Sequence, residues 1–200
     1  MDYTANHILL RGTLGQLPAF SHENHDKRFY RFTLEVSRLS GAVDVLPVIV
    51  PEPVLEAMDL SGGSMLEITG QIRSFNSRAA SGRRLVLSAY AETLTACEGE
   101  DANDVVLHGS VCKAPVYRKT PLGREICDVM LAVNRPYRRS DYIPCIFWGR
   151  TAAMISTVAV GQQIALTGRL QSRTYIKMLP EGSEERVAYE VSAITAEVEE

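Results

Sequence analysis

The chain has 200 residues, 46% of them hydrophobic, and a formal net charge of −3. That length and apolar content suit one or two small domains, each with its own core, and exclude a disordered or collagen-like chain. No stretch approaches the roughly 20 apolar residues of a membrane-spanning helix.

The opening, MDYTANHILLRG, lacks a basic region followed by a long apolar run, so no secretory leader is expected. Residues 6–14 read as a first strand with a bend or bulge near Gly12. SHENHDK (21–27) holds two histidines and an aspartate. With no cysteine or further histidine nearby it reads as a solvated loop, and no metal site is expected. Phe32, Leu34 and Val36 alternate as the inward face of a second strand. A third strand covers 44–50, a short helical stretch PEPVLEAMDL covers 51–60, and a fourth strand covers 64–75. A small basic loop, NSRAASGRR (76–84), leads to a fifth strand over 83–92. TACEGEDAN (95–103), small and acidic, reads as a linker.

The series then repeats. NHILLRGTLGQLP (6–18) aligns with NDVVLHGSVCKAP (103–115), LEVSR (34–38) with LAVNR (131–135), LPVIV (46–50) with IPCIF (143–147), LEITGQIRS (66–74) with IALTGRLQS (164–172), and VLSAYAE (86–92) with EVSAITA (190–196). The chain is a tandem duplication. In the second copy the strands are expected at 103–112, around Val129, Leu131 and Val133, at 142–148, 162–177 and 185–197. A helix is expected over 149–159, and EGSEER (181–186) forms a loop tip. Five strands with a helix between the third and fourth is the order of an OB-fold, a five-stranded Greek-key barrel. The prediction is therefore an all-β chain of two tandem OB-folds, residues 1–94 and 103–200, joined by 95–102. A single ten-stranded sandwich is the competing arrangement. The repeat, with a helix in each copy and enough residues for each core, argues against it.

Charge divides along the chain. Residues 1–102 carry 9 Lys+Arg against 13 Asp+Glu, residues 103–178 carry 11 against 4, and residues 179–200 carry 1 against 7. A basic middle of +7 inside an acidic protein points to an anionic partner. Cys97, Cys112, Cys127 and Cys145 are far apart, with no C-x-x-C and no neighbouring histidine, and read as reduced thiols of a cytoplasmic protein.

YIPCIFWGR (142–150) contains the only tryptophan. Alternation puts Ile143, Cys145 and Phe147 on one face and the rings of Tyr142 and Trp148 on the other. Outward rings serve cross-strand pairs, an oligomer contact, or a flat ligand. Strand 4 likewise alternates Ile164, Leu166 and Leu170 with Arg169, Gln171, Arg173 and Tyr175. Arg118, Lys119, Arg124, Arg135, Arg138, Arg139, Arg150 and Lys177 surround these rings in sequence. RPYRRSDY (135–142) interleaves rings and cations in one loop. Rings stack on any base, and cations follow phosphates.

Three motifs carry a family resemblance: the opening Asn103-x-Val105-x-Leu107-x-Gly109, the triplet Trp148, Gly149 and Arg150, and GQQIALTGRLQSR (161–173). Together, in this order, they resemble the bacterial single-stranded DNA-binding proteins over nearly all of residues 103–197. The resemblance implies base-stacking residues at Tyr137, Tyr142, Trp148 and Tyr175, three of them tyrosine where the family commonly has tryptophan. It also implies a homodimer, since the family generally presents four OB-folds per assembly and this chain supplies two.

The first copy has Ser40, Val45, Pro51 and Ser77 at those positions, leaving Phe29, Arg31, Arg73 and Phe75 outward. A structural or weakly binding role is expected for it. There is no Walker loop, nucleophile elbow or acid–base pair, so neither enzyme activity nor a cofactor is expected. ITAEVEE lacks the glycine- and glutamine-rich linker and acidic tip by which the family recruits replication or recombination proteins. The expected function is sequence-independent binding of single-stranded DNA, with RNA as a further ligand and no membrane partner. A primosome-type or recombination scaffold whose barrels mainly contact proteins is the alternative.

Overall fold

The computed structural model describes residues 5–79, 82–179 and 182–199, with the backbone alone for residues 78, 79, 82, 83, 137 and 179. The first half comprises β1 (Asn6–Leu14), β2 (Ala19–Asn24), β3 (Lys27–Ser37), β4 (Val43–Pro51), α1 (Glu52–Glu56), β5 (Met65–Ala79) and β6 (Gly82–Ala96). The second comprises β7 (Ala102–Val111), β8 (Val116–Lys119), β9 (Glu125–Arg135), β10 (Arg139–Trp148), α2 (Gly149–Ile155), β11 (Gln163–Leu179) and β12 (Gly182–Val198). Among the described residues no helix is long and apolar enough to cross a membrane.

Alternation decides which face of each strand is buried. On β1, Ile8, Leu10 and Leu14 are sequestered, and on β3 Phe32, Leu34 and Val36. Val129, Leu131 and Val133 do the same on β9. These faces turn inward because the strands close on themselves. β3, β4, β6, β5 and β1 pair in that order, and β1 returns to β3; β9, β10, β12, β11 and β7 repeat the circuit, closed by β7 on β9. β4–β6 and β10–β12 are parallel, and the other pairs are antiparallel. Each half is thus its own five-stranded OB barrel, with its short helix between the third and fourth barrel strands. The single sandwich is excluded by these two closures.

A glycine sits at the corner where β1 turns from β5 to β3, and another at the matching point of β7. A Cβ on Gly109 would lie 2.8 Å from the Ala132 carbonyl oxygen, and one on Gly12 would meet the Glu35 carbonyl. The bend expected near these glycines is therefore a close approach of two backbones that no side chain fits.

Several expected loops are strands. SHENHDK belongs to a hairpin in which β2 pairs with β3 and only His25 and Asp26 turn, both left-handed at φ 49° and 58°. A two-residue turn of this hand matches strand twist, which is why the strands run right up to it. β8 is its counterpart in the second half. NSRAASGRR and EGSEER, parts of which lie outside the described residues, continue β5–β6 and β11–β12 as paired strands. RPYRRSDY is a tight turn, with a 3-10 helix at Pro136–Arg138 and Arg139 already paired with Arg135. One repeat alignment also shifts. Ala89 pairs with Val48 and Val191 with Cys145, so Ala89 corresponds to Val191 rather than to Ala193. A slip of two leaves alternation intact and is invisible to pattern.

The two barrels are joined edge to edge. β1 and β7 pair antiparallel, with Asn6 opposite Leu107, Ile8 opposite Val105 and Leu10 opposite Asn103. Because Asn6 and Leu10 are the repeat partners of Asn103 and Leu107, the pairing is an internal two-fold centred on Ile8 and Val105. The β1 edge is thus occupied within the chain. The segment between the barrels is short, spanning 97–101 between the ends of β6 and β7.

Two buried carboxylates lock this join. Asp44 of the first barrel reaches Ser172 of the second, accepting from its backbone N–H at 2.7 Å and its hydroxyl at 2.8 Å, while Arg38 pairs with it at 2.6 Å. The symmetric Asp141 accepts from the Ser74 N–H at 2.7 Å and meets Arg73 at 3.2 Å and Arg135 at 3.0 Å. Burial works to raise the Asp44 pKa, but the hydrogen bonds from Arg38 and Ser172 outweigh it and hold the carboxyl below its ordinary value.

Candidate nucleic-acid interface

β10 alternates except at Ile146, which is buried although it shares the parity of Tyr142 and Trp148. Asp141, Ile143, Cys145 and Phe147 face inward, while Tyr142 and Trp148 remain 45% and 39% exposed. The Trp148 indole Nε1 donates to the Ser192 hydroxyl at 3.0 Å, which anchors the ring edge to β12, the parallel neighbour of β10. Tyr175 on β11 is half-buried, with the Arg173 guanidinium 5.8 Å from its ring centroid. Tyr175 shares a groove of about 590 Å³ with Pro144, Lys177 and Tyr189. Pro144 stands between Tyr142 and Trp148 on the outward side of β10. The rings of β10 and the groove of Tyr175 therefore open on one surface. Tyr137 lies in the 3-10 turn, and its side chain is outside the described residues.

The basic residues divide into two groups. Arg118 pairs with Asp128 at 2.8 Å, Lys119 with Glu125 at 3.6 Å, Arg173 with Glu190 at 3.5 Å, and Arg135 with Asp141. Arg169 donates to the Ser37 carbonyl at 3.4 Å, across the join between barrels. Arg124, Arg138, Arg139 and Arg150 are exposed, Lys177 is half-buried, and none of the five has a carboxylate at ion-pair distance among the described residues. These five have the least to give up on meeting a phosphate.

Two contributors were not legible in sequence. Tyr189 sits in the alternating run of β12 and became a groove wall only through the long β11–β12 hairpin. Arg84 comes from the first barrel, lines the same groove and donates to the Val187 carbonyl. Burial pushes the thiols of Cys145, Cys127 and Cys112 upward, away from the reactive thiolate form.

In the first barrel, Ser40 and Val45 are exposed, and Pro51 and Ser77 half-buried, at the positions equivalent to the four rings. Three of its own rings, Phe29, Phe75 and Tyr90, lie elsewhere, around a concavity of about 710 Å³.

Comparison with solved structures gives the fold class first. The chain superposes on wild-type single-stranded DNA binding protein from Thermus aquaticus with a TM-score of 0.79, covering 98% of this chain and 93% of that one at 21% identity. It therefore shares the whole two-barrel fold. Residues 102–198 match the single-strand binding protein family. Curated relatives include a single-stranded DNA-binding protein of Oceanobacillus iheyensis, 30% identical over 104 residues, and single-stranded DNA-binding protein 3 of Listeria innocua, 34% identical over 102. Each alignment covers 48% of this chain, and 62% and 60% of those relatives. The family match is confined to the second barrel, and the chain spans less than two thirds of the length of these relatives.

Proposed function

We propose that this chain is a non-enzymatic single-strand DNA-binding protein that holds its ligand largely without regard to sequence, in replication, recombination or repair. The observation that carries the reading is the outward face of β10, where Tyr142 and Trp148 stand exposed beside the groove of Tyr175. A buried core does not use those rings, and every base offers a face to stack on them. Arg124, Arg138, Arg139, Arg150 and Lys177 supply phosphate contacts, and Tyr137 is a further stacking residue on this reading. No groove-reading helix is present among the described residues, so the binding is indifferent to base identity. Titrating oligo(dT) into the protein should quench Trp148 fluorescence, and duplex DNA should compete poorly. Unchanged fluorescence, or duplex competing as well as single strand, rejects the reading.

Two chains are further proposed to associate as a two-fold homodimer with four barrels, the commonest closed assembly. With β1 and β7 paired to each other, the contact uses other surfaces. Light scattering at micromolar protein should return the mass of two chains, and the mass of one rejects the dimer.

A further inference from the structure

We infer that the first barrel carries a nucleobase site of its own, built on rings at positions unrelated to the four of the second barrel. The inference rests on the second barrel binding single strands.

Four rings line the concavity of about 710 Å³ on the first barrel: His22, Phe29, Phe75 and Tyr90. Its size falls within the roughly 300–1,000 Å³ of small-ligand sites. The His22 imidazole lies flat on Phe29 at 4.8 Å with planes 11° apart, and Phe29 stands 6.5 Å from Tyr90. Those contacts make a platform out of residues on three strands, β2, β3 and β6. Phe75, on β5, is 53% exposed at its rim. Packing within the barrel accounts for His22 against Phe29, which are directly paired across β2 and β3. It does not account for a phenylalanine left in water beside an open apolar hollow.

Charge and position select the occupant. The Arg73 guanidinium lies 5.4 Å from the Tyr90 ring centroid, and Arg135 of the second barrel completes the wall. Both arginines share the single carboxylate of Asp141, which leaves the cluster with an excess positive charge facing the hollow. A base on the rings with its phosphate near the arginines satisfies both. The wall is also continuous with the second barrel's surface: Ser74, which lines the hollow, accepts a hydrogen bond at 2.7 Å from the backbone N–H of Tyr142. A strand lying on Tyr142 thus needs only to cross that join to place its next bases on Phe75 and Tyr90. The occupant is the continuation of the same strand.

The test uses the whole chain and oligo(dT) of about 8 and about 30 nucleotides, either side of the roughly 4–16 that one such barrel covers. Oligonucleotide is kept in excess so that one chain binds each. Trp148 fluorescence reports the second barrel, and anisotropy of labelled oligonucleotide reports total affinity. Phe75→Ala lies at an exposed position, and Tyr90→Leu keeps apolar bulk without a flat ring. In the double variant the short oligonucleotide should bind within about twofold of the parent, while the affinity gained with the long one should fall about five- to a hundredfold. Phe75→Ala alone, with an unchanged melting temperature, should already lose about threefold or more of that gain. A long-oligonucleotide advantage that survives in both variants, with Trp148 quenched normally, overturns this site and leaves the second barrel's role intact. Absence of quenching by either oligonucleotide in the parent protein overturns the second barrel's role and this inference with it.

Discussion

Trp148 is held by its edge and open on its faces. The hydrogen bond to Ser192 costs the ring some freedom before any ligand arrives, which reduces the ordering cost of stacking. Each lost ring should therefore cost about 1–3 kcal/mol, five- to over a hundredfold in affinity. Trp148→Ala and Tyr142→Ala should each weaken oligo(dT) binding by that order in anisotropy at one salt concentration, with little change in melting temperature because both rings are exposed. Undiminished affinity in both would remove them from the site. These two rings were legible in the sequence, because period-two alternation on β10 assigns each residue a face. Tyr175 was placed on the outward face too, but its half-burial was not foreseeable. Tyr175 shares its groove with Tyr189, which the β11–β12 hairpin brings across, and with Arg84, which comes from the other barrel.

At the scale of the elements, the barrels depend on positions where two strands approach too closely for a side chain. Gly109→Ala puts a methyl 2.8 Å from the Ala132 oxygen, which is backbone and has little room to retreat. Overpacking of this kind costs about 1–3 kcal/mol, and urea unfolding should show a midpoint lowered by the corresponding amount. An unchanged midpoint would mean that the corner relaxes freely. Strand order, the helix between the third and fourth strands, and the duplication could all be read from sequence. β2 and β8 could not. Every β8 residue is exposed and β2 is nearly so, and a strand with no buried face carries no alternation to detect. The same physics hid the long hairpins. Beyond the barrel wall, β5–β6 and β11–β12 continue into solvent, where polar residues read as loop.

The whole molecule is fastened by Asp44 and Asp141, two carboxylates whose positions in sequence gave no hint of a partner in the opposite barrel. Asp44 is held below its ordinary pKa when folded, so it stabilises the fold fully above the unfolded value near pH 4 and loses that contribution as pH falls through its lower folded value. Asp44→Asn should unfold more easily at pH 7, by about 1–3 kcal/mol, and its thermal stability should decline less steeply than the parent's below about pH 4. Parallel curves for the two proteins would show that the carboxylate carries no pH-dependent load. Binding at this scale is electrostatic: with the five least-encumbered cations each meeting a phosphate, log affinity should fall with log salt at a slope of roughly −3.5. A flat dependence would leave stacking alone to hold the strand. The internal two-fold through Ile8 and Val105 has one more consequence. In an assembly of identical subunits every substitution appears on both sides of the axis, so a ring cannot be lost from one side and kept on the other. Here the two sides are different stretches of a single chain, and each substitution occurs once. Ser77 can stand opposite Tyr175 and Pro51 opposite Trp148 with the axis intact. Covalent linkage thus turns a symmetric pair of barrels into a polar object with a distinguishable front and back, on which the two directions of a bound strand are no longer equivalent.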